Sequence, residues 1–155
     1  MAAPTPAKDR ITCHILDTTT GRPARGVRVR LSSAASSTAD PAQPGSRDTT
    51  PPTLSGAPKT FESLTDDDGR IKAWLPYSSA TASGDVPVYT LEDVLGDVTG
   101  PSRWTLRFDV EKYFADQGKE CFFPEVVVVF TVQEGQSYHV PLLLSPFSYT
   151  TYRGS

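Results

Sequence analysis

The stretch from Tyr138 to Ser155 limits what this chain can fold into more than any other. Tyr138, Val140, Leu142 and Leu144 recur at every second position, with His139, Pro141 and Leu143 between them. A period of two puts the first set on one side of an extended chain and the second set on the other. Ser145-Pro146 interrupts the run, and an aromatic, Thr-rich stretch follows, so the pattern predicts strand, turn, strand. His139 thus places an ionisable imidazole on one strand face. Behind it come the guanidinium of Arg153 and the hydroxyl and carboxylate of Ser155. A frayed end has no use for so β-rich a run before it, and the tail is predicted to be built in.

Alternation recurs upstream. Ile11, Cys13 and Ile15 alternate with Thr12, His14 and Leu16, which puts His14 opposite Cys13. Asp17 to Pro23 is turn chemistry, with Asp capping its own backbone, Gly21 free in φ and Pro23 fixing the exit. Val27, Val29 and Leu31 alternate with Arg28 and Arg30, a half-buried strand whose basic face is read as solvated. Order returns at Phe61 to Leu64, and the run from Thr65 to Arg70 predicts a tight turn with Gly69 left-handed. Aspartates before a glycine suggest a calcium loop, but the distal Glu and the flanking helices are missing. Ile71, Ala73 and Leu75 then alternate with Lys72 and Trp74 as one strand.

Thr90 and Asp93 have the spacing of a capping box opening a short helix through Leu95. Trp104, Leu106 and Phe108 predict a strand. Asp109 is placed to cap a short helix with Val110, Tyr113 and Phe114 on one side, closed by Gly118. Glu125 to Phe130 is apolar on both faces and predicts a central buried strand. Seven or eight strands in sequence, one or two short helices and no βαβ alternation predict an all-β antiparallel sandwich.

Composition bounds the rest. At 155 residues a single domain can bury a proper core, yet 37% hydrophobic residues with 14 Pro and 11 Gly leave much of the chain to loops. Residues 1–9 read as a disordered lead and 10–155 as the domain, with flexible insertions at about 32–60 and 76–102. A formal charge of −3 makes nucleic acid and anionic membrane poor partners. Cys13 and Cys121 give neither a disulfide framework nor a zinc spacing. No run is apolar enough to span a bilayer, and Met1 to Asp9 lacks a signal-peptide core, so a soluble cytoplasmic protein is expected. Peroxisomal import would need a signal other than the closing Arg-Gly-Ser.

The order of these motifs resembles one family. His14-x-x-Asp17-x-x-x-Gly21-x-Pro23-Ala24, Thr65-Asp66-x-Asp68-Gly69-Arg70, Phe122-Phe123-Pro124-Glu125-Val126 and the run from Tyr138 to Ser155 are similar to the signatures of 5-hydroxyisourate hydrolases, the transthyretin-related proteins. The closing Tyr152-Arg153-Gly154-Ser155 is the most specific of them. Ser137 departs from the family, which often has a histidine before the Tyr-His pair, and the pieces after Leu31 and Leu75 are longer than in compact members.

The resemblance implies a transthyretin-like sandwich, a homotetramer with sites where dimers meet, and no cofactor or metal. It implies hydrolysis of 5-hydroxyisourate to 2-oxo-4-hydroxy-4-carboxy-5-ureidoimidazoline, a step of urate breakdown. His14, Arg70 and His139 fall on the catalytic positions, and Tyr152, Arg153, Gly154 and Ser155 on positions lining the substrate pocket. The rival within the same fold is a small-molecule carrier without hydrolase activity.

The chemistry is consistent with those residue types. Opening a cyclic amide with water needs a base whose pKa lies near neutrality and a fixed positive charge for the developing oxyanion. Imidazole and guanidinium supply these. No Gly-x-Ser-x-Gly elbow and no recognisably reactive cysteine offers another nucleophile. Two histidines without a third protein ligand make a poor zinc site.

Overall fold

The computed structural model describes residues 8–34, 59–77 and 89–154. Most of the predicted lead, the bodies of both predicted insertions and Ser155 lie outside the described residues. The strands are β1 (Ile11–Asp17), β2 (Arg22–Pro23), β3 (Arg28–Ser33), β4 (Thr60–Leu64), β5 (Arg70–Ile71), β6 (Leu75–Tyr77), β7 (Ser102–Asp109), β8 (Glu125–Val132), β9 (Tyr138–Leu144) and β10 (Tyr149–Thr151). Helix α1 (Leu91–Asp97) precedes β7 and α2 (Glu111–Ala115) follows it.

One sheet runs β10-β9-β1-β2, with β5 also paired to β1; the other runs β6-β4-β3-β7-β8. Every pairing is antiparallel except β1 with β9. The architecture is the predicted all-β sandwich. Alternation does what it should: Ile11, Cys13 and Ile15 of β1, Val29 and Leu31 of β3, and Trp104, Leu106 and Phe108 of β7 are fully buried. Each such large side chain contributes about 1.5–3 kcal/mol by leaving water. With those residues turned inward, Thr12, His14 and His139 are left on the outer face of the first sheet.

Local chemistry sets the turns and the first helix. Asp17, fully buried at the end of β1, accepts from the backbone N–H groups of Thr19 at 2.9 Å and Thr20 at 3.3 Å. Its other oxygen accepts from the Tyr113 hydroxyl at 2.8 Å, which ties α2 to the first sheet. The capping box of α1 forms in both directions, Thr90 with Asp93.

Several predicted elements come out differently. The stretch from Glu125 is an edge strand, joined only to β7, rather than a central one. Val126 and Val132 face the core, whereas Val127 and Val129 stand 42% and 57% exposed. Apolar residues on both faces mark here an edge that nothing among the described residues covers. Asp109 stays in β7 and does not cap α2. The N-cap is Val110, without a side-chain cap bond, and the N–H groups of Val110 and Glu111 donate instead to the Pro124 carbonyl at 3.3 and 3.0 Å.

The predicted strand over Ile71 to Leu75 is broken in two. Trp74 turns into the core, where its indole N–H donates to the Ile11 carbonyl at 2.8 Å. Leu75, left 72% exposed, begins β6 in the other sheet. A large aromatic ring with a satisfied N–H outweighs the regular alternation. The basic face of β3 is paired rather than merely solvated: Arg28 and Arg30 reach Glu62 at 3.1 and 3.4 Å.

Candidate active site

Register assembles the site. Parallel pairing sets Thr12 of β1 beside His139 of β9, and antiparallel pairing sets Arg70 of β5 beside His14 of β1. The two imidazoles lie 6.4 Å apart between centroids, with their planes 29° from parallel. Both are half-buried, and Arg70 is exposed.

The turn before Arg70 is anchored from within. A carboxylate oxygen of Asp66 accepts from the backbone N–H groups of Asp68 and Arg70, both at 2.9 Å. Gly69, at φ 71°, lies so near β1 that a Cβ there would meet the Ile15 carbonyl oxygen at 2.5 Å. Its own carbonyl accepts from the Ile15 N–H at 2.8 Å. The glycine is what lets Arg70 lie alongside His14.

Burial, then nearby charge, favours the neutral form of both rings. Burial pushes His14 below the ordinary imidazole value, and the Arg70 charge adds to this, while the Asp68 backbone and the Asp66 and Asp68 carboxylates pull the other way. Burial likewise lowers His139, helped by Arg70, His14 and Lys8. A neutral imidazole is a proton acceptor at neutral pH. The thiols are placed otherwise: burial pushes both Cys13 and Cys121 up, away from the reactive thiolate. Among the described residues no three His, Cys, Asp or Glu side chains gather as metal ligands.

The tail closes one side. Pro141 has no N–H, so β10 pairing stops at Thr151, whose hydroxyl donates to the Pro141 carbonyl at 2.7 Å. Pairing resumes at Gly154, whose N–H donates to the His139 carbonyl at 2.8 Å. A Cβ on Gly154 would lie 2.8 Å from Cδ2 of the His139 ring. Arg153 goes elsewhere. Its guanidinium sits over the Tyr138 ring, 5.2 Å from the centroid, on the side of β9 opposite His139. There it borders an apolar groove of about 250 Å³ that Val128, Phe130, Tyr152 and His139 also line.

Of the residues singled out in the sequence, His14, Arg70, His139 and Gly154 come together. Arg153 and the 56%-exposed Tyr152 lie at the adjoining groove, which His139 also lines, and Ser155 lies outside the described residues. Thr12 was missed. Its hydroxyl oxygen is 2.8 Å from Nδ1 of His139, a contact that depends on parallel pairing between chain ends and leaves no local signal.

Two small twisted sheets, with two histidines and an arginine on one outer face, define a transthyretin-like sandwich whose outer face is equipped for acid–base work. The chain belongs to the HIUase/Transthyretin family, whose model matches residues 11–154. It is 38% identical over 146 residues to a 5-hydroxyisourate hydrolase of Mus musculus, covering 94% of each chain. It is 34% identical to a 5-hydroxyisourate hydrolase of Salmonella dublin, over 94% of this chain and 80% of the other. Among solved structures, the 5-hydroxyisourate hydrolase of Klebsiella pneumoniae superposes with a TM-score of 0.54 at 27% identity, covering 94% of this chain and 98% of that one. Sea bream transthyretin in complex with thyroxine superposes at 0.61, covering 94% and 95%, with 23% identity, which speaks to the fold alone.

Proposed function

We propose that the protein hydrolyses 5-hydroxyisourate to 2-oxo-4-hydroxy-4-carboxy-5-ureidoimidazoline in urate breakdown. The observation that carries this is the gathering of His14, Arg70 and His139 on one outer sheet face, in a chain whose hydrolase relatives align over nearly its full length. His139 takes a proton from water, and the water oxygen adds to the ring carbonyl carbon. The carbonyl oxygen becomes anionic beside Arg70, whose charge is fixed and whose planar fork suits a flat polar ring. The C–N bond then breaks, the ring nitrogen takes the proton from the imidazolium, and the new carboxylic acid releases its remaining proton to solvent as a carboxylate. His14, neutral and beside both partners, orders the water and shares the proton. A placed acid–base group contributes about 10²–10⁴-fold and an oxyanion donor about 3–4 kcal/mol.

Strands β8 and β10, sheet edges among the described residues, and the outer face of the first sheet support association into a homotetramer with the site between dimers. Sedimentation of the full chain reads that state. Among the described residues no helix is long and apolar enough to cross a membrane. The test of function is the decay of freshly generated 5-hydroxyisourate with and without protein. Acceleration proportional to protein concentration is expected. Binding without acceleration would make the protein a carrier and overturn the proposal.

A further inference from the structure

We infer that Thr12 is a positioning residue that fixes the tautomer of His139, holding the proton on Nδ1 and leaving Nε2 as the nitrogen that takes the proton from water. The inference rests on the hydrolase reading for its kinetic part and on the structure alone for its tautomer part. Thr12 and His139 are register partners across the parallel pair, and their side chains meet at 2.8 Å between Oγ1 and Nδ1. The same hydroxyl donates to the Tyr138 carbonyl oxygen at 3.4 Å.

A hydroxyl has one hydrogen and two lone pairs, and a carbonyl oxygen can only accept. Only one arrangement makes both contacts hydrogen bonds: the Thr12 hydroxyl donates to the Tyr138 carbonyl, and the Thr12 oxygen accepts from Nδ1–H of His139. A neutral imidazole protonated at Nδ1 has its free lone pair at Nε2. Among the described residues nothing is hydrogen-bonded to Nε2. An imidazole in water prefers the opposite tautomer, so the contact selects the one that chemistry on the outer face needs.

The residue is held at two further points, one on its backbone and one on its ring. Gly154 donates to the His139 carbonyl and packs its bare Cα against the Cδ2 edge, where a Cβ would come to 2.8 Å. Thr12 therefore fixes one edge of the imidazole and Gly154 the other. Burial and the Arg70 charge keep the ring neutral, so a tautomer exists to be chosen.

The full-length chain labelled with ¹⁵N tests this by long-range ¹H–¹⁵N correlation of its imidazoles, with His14→Gln used to assign the His139 signals. The wild type is expected to show Nδ1 protonated and Nε2 bare. Thr12→Val keeps the shape and loses the acceptor. It should move the proton to Nε2 and lower kcat by about a hundredfold with KM little changed. Thr12→Ser should restore both the tautomer and the rate. Nε2 protonated in the wild type, or an unchanged tautomer in Thr12→Val, overturns the inference. The wild-type spectrum decides this even if Thr12→Val does not fold. A wild type with Nδ1 protonated but no hydrolysis would instead overturn the hydrolase reading and leave the tautomer assignment standing.

Discussion

Arginines point outward from both sheets of this sandwich, and they meet different company. On the second sheet Arg28 and Arg30 lean on Glu62, and Arg107 on Glu125. On the first, Arg70 is in no ion pair among the described residues; it stands beside two imidazoles that its charge helps keep neutral. The same period of two put all four guanidiniums outside. What separates a stabilising face from a reactive one is whether the opposite strand supplies a carboxylate. A paired guanidinium has spent its charge, and an unpaired one beside neutral bases is available to a substrate.

The comparison breaks most visibly if the reactive face is stripped. Arg70→Ala or His14→Ala should lower hydrolysis by at least about a hundredfold while circular dichroism and thermal unfolding stay close to wild type. Arg70→Lys should recover only part of the loss, because an ammonium lacks the planar fork. Loss of the fold in these variants would mean that the face is structural like its counterpart.

Next in size is Gly154→Ala. The added carbon meets Cδ2 of His139 at 2.8 Å and must turn the ring or lift the tail. A displacement of that order costs up to about a hundredfold in rate, read as a lower kcat in the folded protein. Unchanged kcat would show that the tail does not set the ring.

A smaller effect sharpens the electrostatic side. Both histidines are held below the ordinary 6.5, so the neutral, proton-accepting form is already in place at pH 7. Hydrolysis should rise with pH through an inflection below 6.5 and be flat above neutrality. Removing the Arg70 charge relieves the repulsion, so the imidazole titrations followed by NMR in Arg70→Gln should move upward. A downward shift would contradict the assigned cause.

Smallest of all is the paired face. Glu62→Gln removes the carboxylate charge that Arg28 and Arg30 share, and partly exposed pairs of this kind are worth about 0–1 kcal/mol. Denaturant unfolding should register no more than that, and kcat should not change. A large fall in kcat would erase the distinction between the faces.

How much of this was legible in the sequence follows from which interactions are local. The alternation of β1, β7 and β9, the Thr90–Asp93 capping box and the Asp66–Gly69 turn are written in neighbouring residues and were readable directly. The end of α2 was readable too, but its beginning was not. Its N–H groups are satisfied by the Pro124 carbonyl from a later segment, so the expected Asp109 cap was not needed. Strand β8 misled for a related reason. Val127 and Val129 look like core residues, and a strand's place in a sheet is set by its partners rather than by its own composition.

The site was legible as residue types and not as an arrangement. Motif resemblance picked out His14, Arg70 and His139, but Thr12 reaches His139 only through the parallel pairing of β1 with β9. Alternation also carries Arg153 to the Tyr138 side. Two adjacent residues of one tail motif thus face opposite ways, Arg153 toward the Tyr138 ring and Gly154 toward the Cδ2 edge of His139.

The central claim, that the outer face of the first sheet is the reactive one, is tested most directly by one comparison. Freshly generated 5-hydroxyisourate is followed at neutral pH with equal amounts of wild type and His139→Ala, both shown to be folded and equally assembled. The account predicts rapid decay with the wild type and a rate at least about a hundredfold lower with the variant. Equal rates in the two would contradict it.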